Sequence, residues 1–125
     1  MTGKRLPKIS VIIPAHNEVR SIRRVLADLP LRHLHEVIVV DNASTDGTGD
    51  AAHDFASNVR VVREDRPGYG QACLTGISSL DPATKIVVFI DGDYSDHGEE
   101  LPRVVRPILR GRVDFVVGSR ARGHA

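Results

Sequence analysis

Two carboxylates one residue apart, Asp91 and Asp93 with Gly92 between them, directly follow an apolar run at residues 86–90. Such a run of β-branched and aromatic residues is typical of a strand buried on both faces of a parallel sheet. Ligands of open α/β sheets bind at the carboxyl ends of the strands, which is where these carboxylates fall. A hard, doubly negative oxygen site suits Mg²⁺ or Mn²⁺, particularly when phosphates complete the coordination. The alternative interpretation is a loop in which Asp and Gly only turn the chain.

The bulk composition is that of an ordinary globular protein. The 125 residues predict one domain over residues 1–125, with a frayed tail at residues 121–125. A net charge of +1 gives no electrostatic case for nucleic acid or an anionic membrane. Cys73 is the only cysteine, which excludes an intrachain disulfide and favours a reducing compartment. No apolar run approaches the length of a membrane span, so we predict a cytoplasmic protein.

Apolar runs and helical patterns alternate along the chain. Strands are predicted at residues 8–14, 36–40, 59–63, 85–90 and 113–117. Apolar spacing places the buried helix faces at Ile22, Val25, Leu26 and Leu29, at Cys73, Ile77 and Leu80, and at Leu101, Val104, Val105 and Ile108. This alternation predicts an α/β fold with a doubly wound, mostly parallel sheet and right-handed crossovers.

Polar segments follow four of the predicted strands, at residues 14–18, 41–48, 64–70 and 91–96. Because the carboxyl ends of parallel strands share one edge of a sheet, these segments should converge into a crevice suited to a nucleotide and a metal. Simpler interpretations stay open for two of them. Asp46-Gly47-Thr48 suits a helix cap and turn, and Gly68-Tyr69-Gly70 is a weak match to a phosphate-binding loop.

Five segments, taken together, resemble family-2 glycosyltransferases of the GT-A fold. They are VIIPAHNE at residues 11–18, VVDNASTDGT at 39–48, GYGQACLTG at 68–76, FIDGD at 89–93 and DFVVGSR at 114–120. The pattern is similar to that of dolichol- and polyprenol-phosphate sugar transferases. The resemblance covers nearly the whole chain, and the order and spacing of the five segments make it specific.

The resemblance implies a donor site for a nucleotide-diphosphate sugar. It assigns the base and ribose pocket to Pro14, His16 and Glu18, further base contacts to Asp41 and Asn42, a close approach of ligand to Gly92, the metal to Asp91 and Asp93, and a cation near the diphosphate to Arg120. Asn42 stands where the family usually has Asp, which leaves the base preference open. The implied cofactor is a divalent cation, Mg²⁺ or Mn²⁺.

The implied reaction is metal-assisted, inverting transfer of a sugar to an acceptor. The family extends well beyond the Gly-Ser-Arg segment and often carries a general base there, so the chain is expected to be the truncated, nucleotide-binding half of such an enzyme. A polyprenyl phosphate acceptor, working at the cytoplasmic face of a membrane, would need little help from a base because its oxygen is already ionised.

Two other classes remain as alternatives. One is a non-catalytic fragment that binds a nucleotide sugar, in which an uncovered sheet edge or face could drive self-association. The other is a receiver-like signalling domain, which has this length and alternation. A receiver requires an acidic pair after strand one and a Lys after strand five, where this chain has Asn17-Glu18 and Arg120.

Overall fold

The computed structural model describes residues 7–93 and 115–117. Within them strands and helices alternate in the order β1 (Ile9–Ala15), α1 (Ile22–Ala27), a 3₁₀ turn (Leu31–His33), β2 (Glu36–Asn42), α2 (Thr48–Ala52), β3 (Val59–Glu64), α3 (Tyr69–Ser78), β4 (Ile86–Phe89) and β5 (Phe115–Val117). The predicted fourth helix, the frayed tail and Arg120 lie outside the described residues.

The five strands form one sheet in the order β3-β2-β1-β4-β5, and all of the described pairings are parallel. β1 lies at the centre, so that Ile12 stands in register with Ile38 on one side and with Phe89 on the other. The α/β class and the mostly parallel sheet predicted from the sequence are confirmed. The strand order reverses direction beside β1, which is the position where open α/β sheets bind ligands.

Helices cover both faces of the sheet. On one face, residues of α1 and α2 pack with Val11, Ile13 and Val37 in a single buried cluster. On the other face, Ala72 of α3 packs with Ile12 and Ile38. Every residue of β1 and β2 is buried, which explains why these strands lack the polar–apolar alternation of a half-exposed sheet.

Helix α1 buries the face that its apolar spacing predicts. Ile22, Val25 and Leu26 are at most 1% exposed. The helix begins at Ile22 rather than near Glu18, because the backbone N–H groups of Ser21 and Ile22 both donate to the Glu18 carbonyl and form a turn first. The sequence pattern predicts a start at about Glu18, which is one turn too early.

The predicted stripe of Cys73, Ile77 and Leu80 is only partly correct, because Cys73 and Leu80 are partly buried against the cluster of Ile12, Ile38 and Ala72 but Ile77 is not. Ile77 is 45% exposed, and the fully buried positions are Ala72 and Gly76 instead. The helix lies so close to the sheet that a Cβ on Gly76 would stand 2.5 Å from the Cγ2 of Ile12. Only the smallest residues fit at this distance, so large apolar side chains do not mark the buried face of this helix.

The amino-terminal edge of the sheet is held by Glu36, whose side chain is 10% exposed. Its carboxylate accepts hydrogen bonds from the Ser10 hydroxyl at 2.9 Å and the Asp81 backbone N–H at 2.8 Å. The Arg60 guanidinium donates a third at 2.9 Å. Burial by itself would raise the pKa of Glu36, but these hydrogen bonds outweigh it and hold the pKa below its ordinary value.

Replacing Glu36 with Gln should lower the free energy of unfolding by about 1–3 kcal/mol at neutral pH, because buried donors lose a charged acceptor. Because the pKa of Glu36 is lower in the folded state, its carboxylate stabilises the fold above the unfolded-state pKa. This contribution is lost as the pH falls through the folded-state pKa. The difference between wild type and variant in urea unfolding should therefore shrink at acidic pH. An Asp54→Asn control, at a side chain that is 86% exposed, should change little. A difference that stays constant down to pH 2 would contradict this account.

Candidate functional site

A cleft of about 300 Å³ opens at the carboxyl edge of the sheet, beside the first turn of α3. Each of the four polar segments predicted to converge supplies at least one lining residue. Seven predicted site residues line the cleft: Pro14, His16, Glu18, Asn42, Asp91, Gly92 and Asp93. Five further lining residues were not predicted: Ala15, Pro67, Gly68, Tyr69 and Ala72.

Gly92 brings the two aspartates close to the end of β1. A Cβ at this position would lie 3.1 Å from the Cβ of Ala15 and 3.3 Å from the Pro14 carbonyl oxygen, so that a larger residue would push the segment away. The Gly92 carbonyl also accepts a 2.7 Å hydrogen bond from the Ser21 hydroxyl. The triplet is thus fixed against β1 and the start of α1, with Pro14 and Ala15 as the close neighbours of Gly92.

Negative charge accumulates at this side of the cleft. Partial burial raises the pKa of Glu18 above its ordinary value, and the charges of Asp93, Asp46 and Asp91 raise it further, against a lowering hydrogen bond from Ser21. Because the pKa of Glu18 is raised, its carboxyl group adds to the stability of the fold only at acidic pH. This contribution is lost as the pH rises through the folded-state pKa. Relief of this repulsion at neutral pH is what a bound cation would provide.

Divalent cations prefer oxygen ligands of the kind that Asp91 and Asp93 carry, and Mg²⁺ commonly combines one or two carboxylates with phosphate oxygens and water. Within residues 7–93 and 115–117, no three side chains of His, Cys, Asp or Glu are arranged to hold a metal by themselves. The carboxylates of Asp91 and Asp93 fit a cation that also binds the phosphates of a ligand.

His16 and Asn17 connect the loop after β1 to the loop after β2. Nδ1 of His16 lies 2.6 Å from the Asn42 carbonyl oxygen, so this nitrogen must carry a proton and donate it. Asn17 adopts a left-handed backbone with φ of 53°. Its side-chain oxygen accepts the Thr45 N–H at 2.9 Å, and its own N–H donates to the Ser44 hydroxyl at 2.9 Å. These contacts hold together the two loops that supply His16 and Asn42 to the cleft lining.

A model of the family described as "Glycosyl transferase family 2" matches residues 10–124. The chain belongs to glycosyl transferase family 2. This match spans nearly the whole chain, and it excludes the alternative of a receiver-like signalling domain. Among the described residues, no helix is long and apolar enough to cross a membrane.

Named relatives agree with the family match. An uncharacterised glycosyltransferase of Mycobacterium tuberculosis is 39% identical over 112 residues, which are 90% of this chain and 48% of the relative. An undecaprenyl-phosphate mannosyltransferase of Micrococcus luteus is 35% identical over 119 residues, covering 90% of this chain and 48% of the relative. The chain therefore spans about half the length of these curated relatives.

A solved structure shares the fold as well as the sequence. It is glucosyl-3-phosphoglycerate synthase of M. tuberculosis in complex with Mn²⁺, UDP-glucose and phosphoglyceric acid. It is 35% identical, with a TM-score of 0.71, and the match covers 84% of this chain and 40% of that chain. The GT-A fold predicted from the sequence is thereby confirmed.

One predicted site residue that the structure describes, Asp41, is not in the cleft lining. Asp41 is 7% exposed, and its Oδ2 pairs with Nη1 of Arg63 at 3.1 Å. Its Oδ1 is buried and has no hydrogen-bond partner among the residues that the structure describes. Arg120 lies outside those residues. The predicted base contact of Asp41 and the predicted diphosphate contact of Arg120 therefore stay predictions.

The Asp46-Gly47-Thr48 segment forms the turn that the simpler interpretation describes, with Gly47 at the N-cap position of α2. Asp46 Oδ1 accepts the Thr48 N–H at 3.0 Å, and Asp46 Oδ2 accepts the Val19 N–H at 3.2 Å. The Thr48 hydroxyl in turn accepts the Glu18 N–H at 2.8 Å. The segment holds the backbone that presents Glu18 to the cleft. The sequence signal for this role was the Asp two residues before a Thr at a helix start.

Proposed function

We propose that this chain supplies the donor site of a glycosyltransferase: the cleft binds a nucleoside-diphosphate sugar, and Asp91 and Asp93 hold a divalent cation on its diphosphate. The observation that carries the proposal is the position of both carboxylates in the lining of a cleft at the carboxyl edge of β1 and β4. The named structural relative binds UDP-glucose together with Mn²⁺, which supports the assignment.

The chemistry of transfer explains why these groups belong together. When a sugar leaves a nucleoside diphosphate, negative charge grows on the departing diphosphate, and a bound divalent cation neutralises it without moving a proton. Asp91 and Asp93 orient that cation toward the cleft. Gly92 keeps both aspartates seated against β1, while Pro14 and His16 form the wall on the side of the base and ribose.

We further propose that the acceptor is a polyprenyl phosphate and that transfer inverts the anomeric carbon. The undecaprenyl-phosphate mannosyltransferase among the relatives supports this acceptor class. A phosphate acceptor is ionised at neutral pH, with a second pKa of about 6 by analogy with phosphorylated side chains. Its oxygen can attack the anomeric carbon directly, and the nucleoside diphosphate leaves from the opposite face.

A second candidate function is donor binding without turnover. Both candidates share the donor site, and they differ only in whether a sugar reaches an acceptor. Incubation with radiolabelled UDP- or GDP-sugars and undecaprenyl phosphate separates them, because only an enzyme converts label into a lipid-soluble product.

The donor site is tested by calorimetric titration of the chain with UDP and with GDP, each with and without Mn²⁺. We expect one nucleotide to bind measurably better than the other, and only with the cation present. Circular dichroism of the same sample establishes that the chain is folded. Failure of a folded chain to bind either nucleotide with Mn²⁺ would refute the donor site.

A further inference from the structure

Asn42 has a side-chain amide that is almost entirely engaged within the protein. The residue is 5% exposed, and its Nδ2 donates to the Glu64 carbonyl at 3.1 Å and to the Arg66 carbonyl at 2.7 Å. Its Oδ1 accepts the Gly68 N–H at 3.0 Å. An asparagine amide has two N–H donors, and both are used here.

The partners of the Asn42 side-chain amide all lie in residues 64–68, from the last residue of β3 to the residue before α3, which we call the 64–68 loop. This loop brings Pro67 and Gly68 to the wall of the cleft. Gly68 has φ of 125°, a left-handed backbone that a residue with a side chain rarely adopts. The loop therefore has a backbone conformation that favours glycine at position 68. The Asn42 amide forms hydrogen bonds with three residues of the loop.

The same loop is braced from β3 by Glu64. Its carboxylate accepts the Arg66 backbone N–H at 2.7 Å and the Arg66 Nη2 at 3.1 Å. The Arg66 side chain and the Thr75 hydroxyl lower the pKa of Glu64 to about 2. This brace holds the first half of the loop. The Gly68 end, which faces the cleft, is bonded to Asn42.

We propose that Asn42 is a positioning residue that fixes the 64–68 loop as a wall of the nucleotide cleft, and that it does not discriminate between bases through its own amide. The role in nucleotide binding rests on the proposed function, whereas the hold on the loop does not. Although the family usually has Asp at this position, an aspartate in this chain would lose both hydrogen bonds that Nδ2 of Asn42 donates. A carboxylate has no N–H to donate, so an oxygen would face the carbonyl oxygens of Glu64 and Arg66.

The hold on the loop is tested first on the wild type, without nucleotide, by amide hydrogen exchange. The Gly68 N–H has a side-chain acceptor in Asn42, so it should exchange at least about tenfold more slowly than an unprotected amide. Exchange at the unprotected rate would overturn the proposal. This measurement needs no variant and no ligand.

The second test compares Asn42→Asp with Asn58→Asp. Asn58 is a matched control, because its Nδ2 also donates to two carbonyls, those of Leu31 and Leu34, at 2.9 and 3.1 Å at the opposite edge of the sheet. Asn42→Asp should accelerate exchange at Gly68 and weaken UDP and GDP binding by a similar factor, about tenfold or more, since the competent loop is less populated. Asn58→Asp should change neither.

The ratio of UDP affinity to GDP affinity decides whether Asn42 positions the 64–68 loop or recognises the nucleotide base. A ratio that changes in Asn42→Asp while Gly68 exchange stays as in the wild type would show direct base recognition and overturn the proposal. If the wild type binds neither nucleotide, the donor site fails. The hold of Asn42 on the loop is then still decided by the exchange rates.

Discussion

Replacing Asp93 with Asn is expected to weaken cation-dependent nucleotide binding on the order of 100-fold, which calorimetric titration with Mn²⁺ measures directly. Asp93 is exposed in the cleft, so the isosteric change should leave the fold intact. It removes one of the two carboxylates that we propose hold the cation. Loss of one charge at contact distance costs a few kcal/mol at the dielectric near a protein surface, and each 1.4 kcal/mol is about tenfold in affinity.

Glu18 provides a second measurement that needs no nucleotide. After burial, the charge of Asp93 is the largest of the causes that raise the pKa of Glu18. Asp93→Asn should therefore move the Glu18 pKa toward its ordinary value in an NMR titration. Asp50→Asn, which removes an exposed carboxylate outside the cleft lining, is the control and should change neither measurement. Equal loss of binding in both variants would mean that net charge, and not a cation site, governs affinity.

Replacing Gly76 with Ala should lower the free energy of unfolding by about 2 kcal/mol, because the new methyl group overpacks the contact between α3 and the sheet. It would stand 2.5 Å from the Cγ2 of Ile12 and 3.3 Å from the Cγ2 of Val40, both on buried β-branched side chains. These side chains have little rotamer freedom with which to move aside. Denaturant unfolding, with the m-value compared between variants, measures the change.

Gly70→Ala is the matched control on the same helix. A Cβ at Gly70 would have no atom within 4 Å, so the substitution should gain up to about 1 kcal/mol of helix propensity without a clash. The two identical substitutions are thus expected to change stability in opposite directions. If both substitutions destabilised the protein equally, the close approach of α3 to Ile12 would not be what limits the size of the side chain at position 76.

Much of the fold could be predicted because its signals are local and redundant. The continuous β-branched runs around Ile12 and Ile38 indicate strands buried on both faces, and the spacing of Ile22, Val25 and Leu26 indicates the buried face of α1. The convergence of Glu18 and Asp93 on one cleft also follows, because parallel strands deliver their carboxyl ends to the same edge.

What could not be predicted depends on distances between segments far apart in the sequence. Gly76 is buried because α3 approaches Ile12 closely. The spacing of apolar residues in the sequence does not indicate how near a helix lies to a sheet. Asp41 and Asn42 are adjacent in β2, yet the carboxylate pairs with Arg63 and the amide bonds the 64–68 loop. The family resemblance implies a base contact for both, whereas the partners of a buried polar group become known only from the packed structure.

The central position of β1 has a consequence for how such sites can diversify. The 64–68 loop reaches the cleft from the side of β2 and β3, whereas the aspartate triplet arrives from β4 on the other flank. If the proposed donor site is correct, substitutions in the 64–68 loop should therefore change the contacts to the nucleotide without replacing the residues that hold the cation.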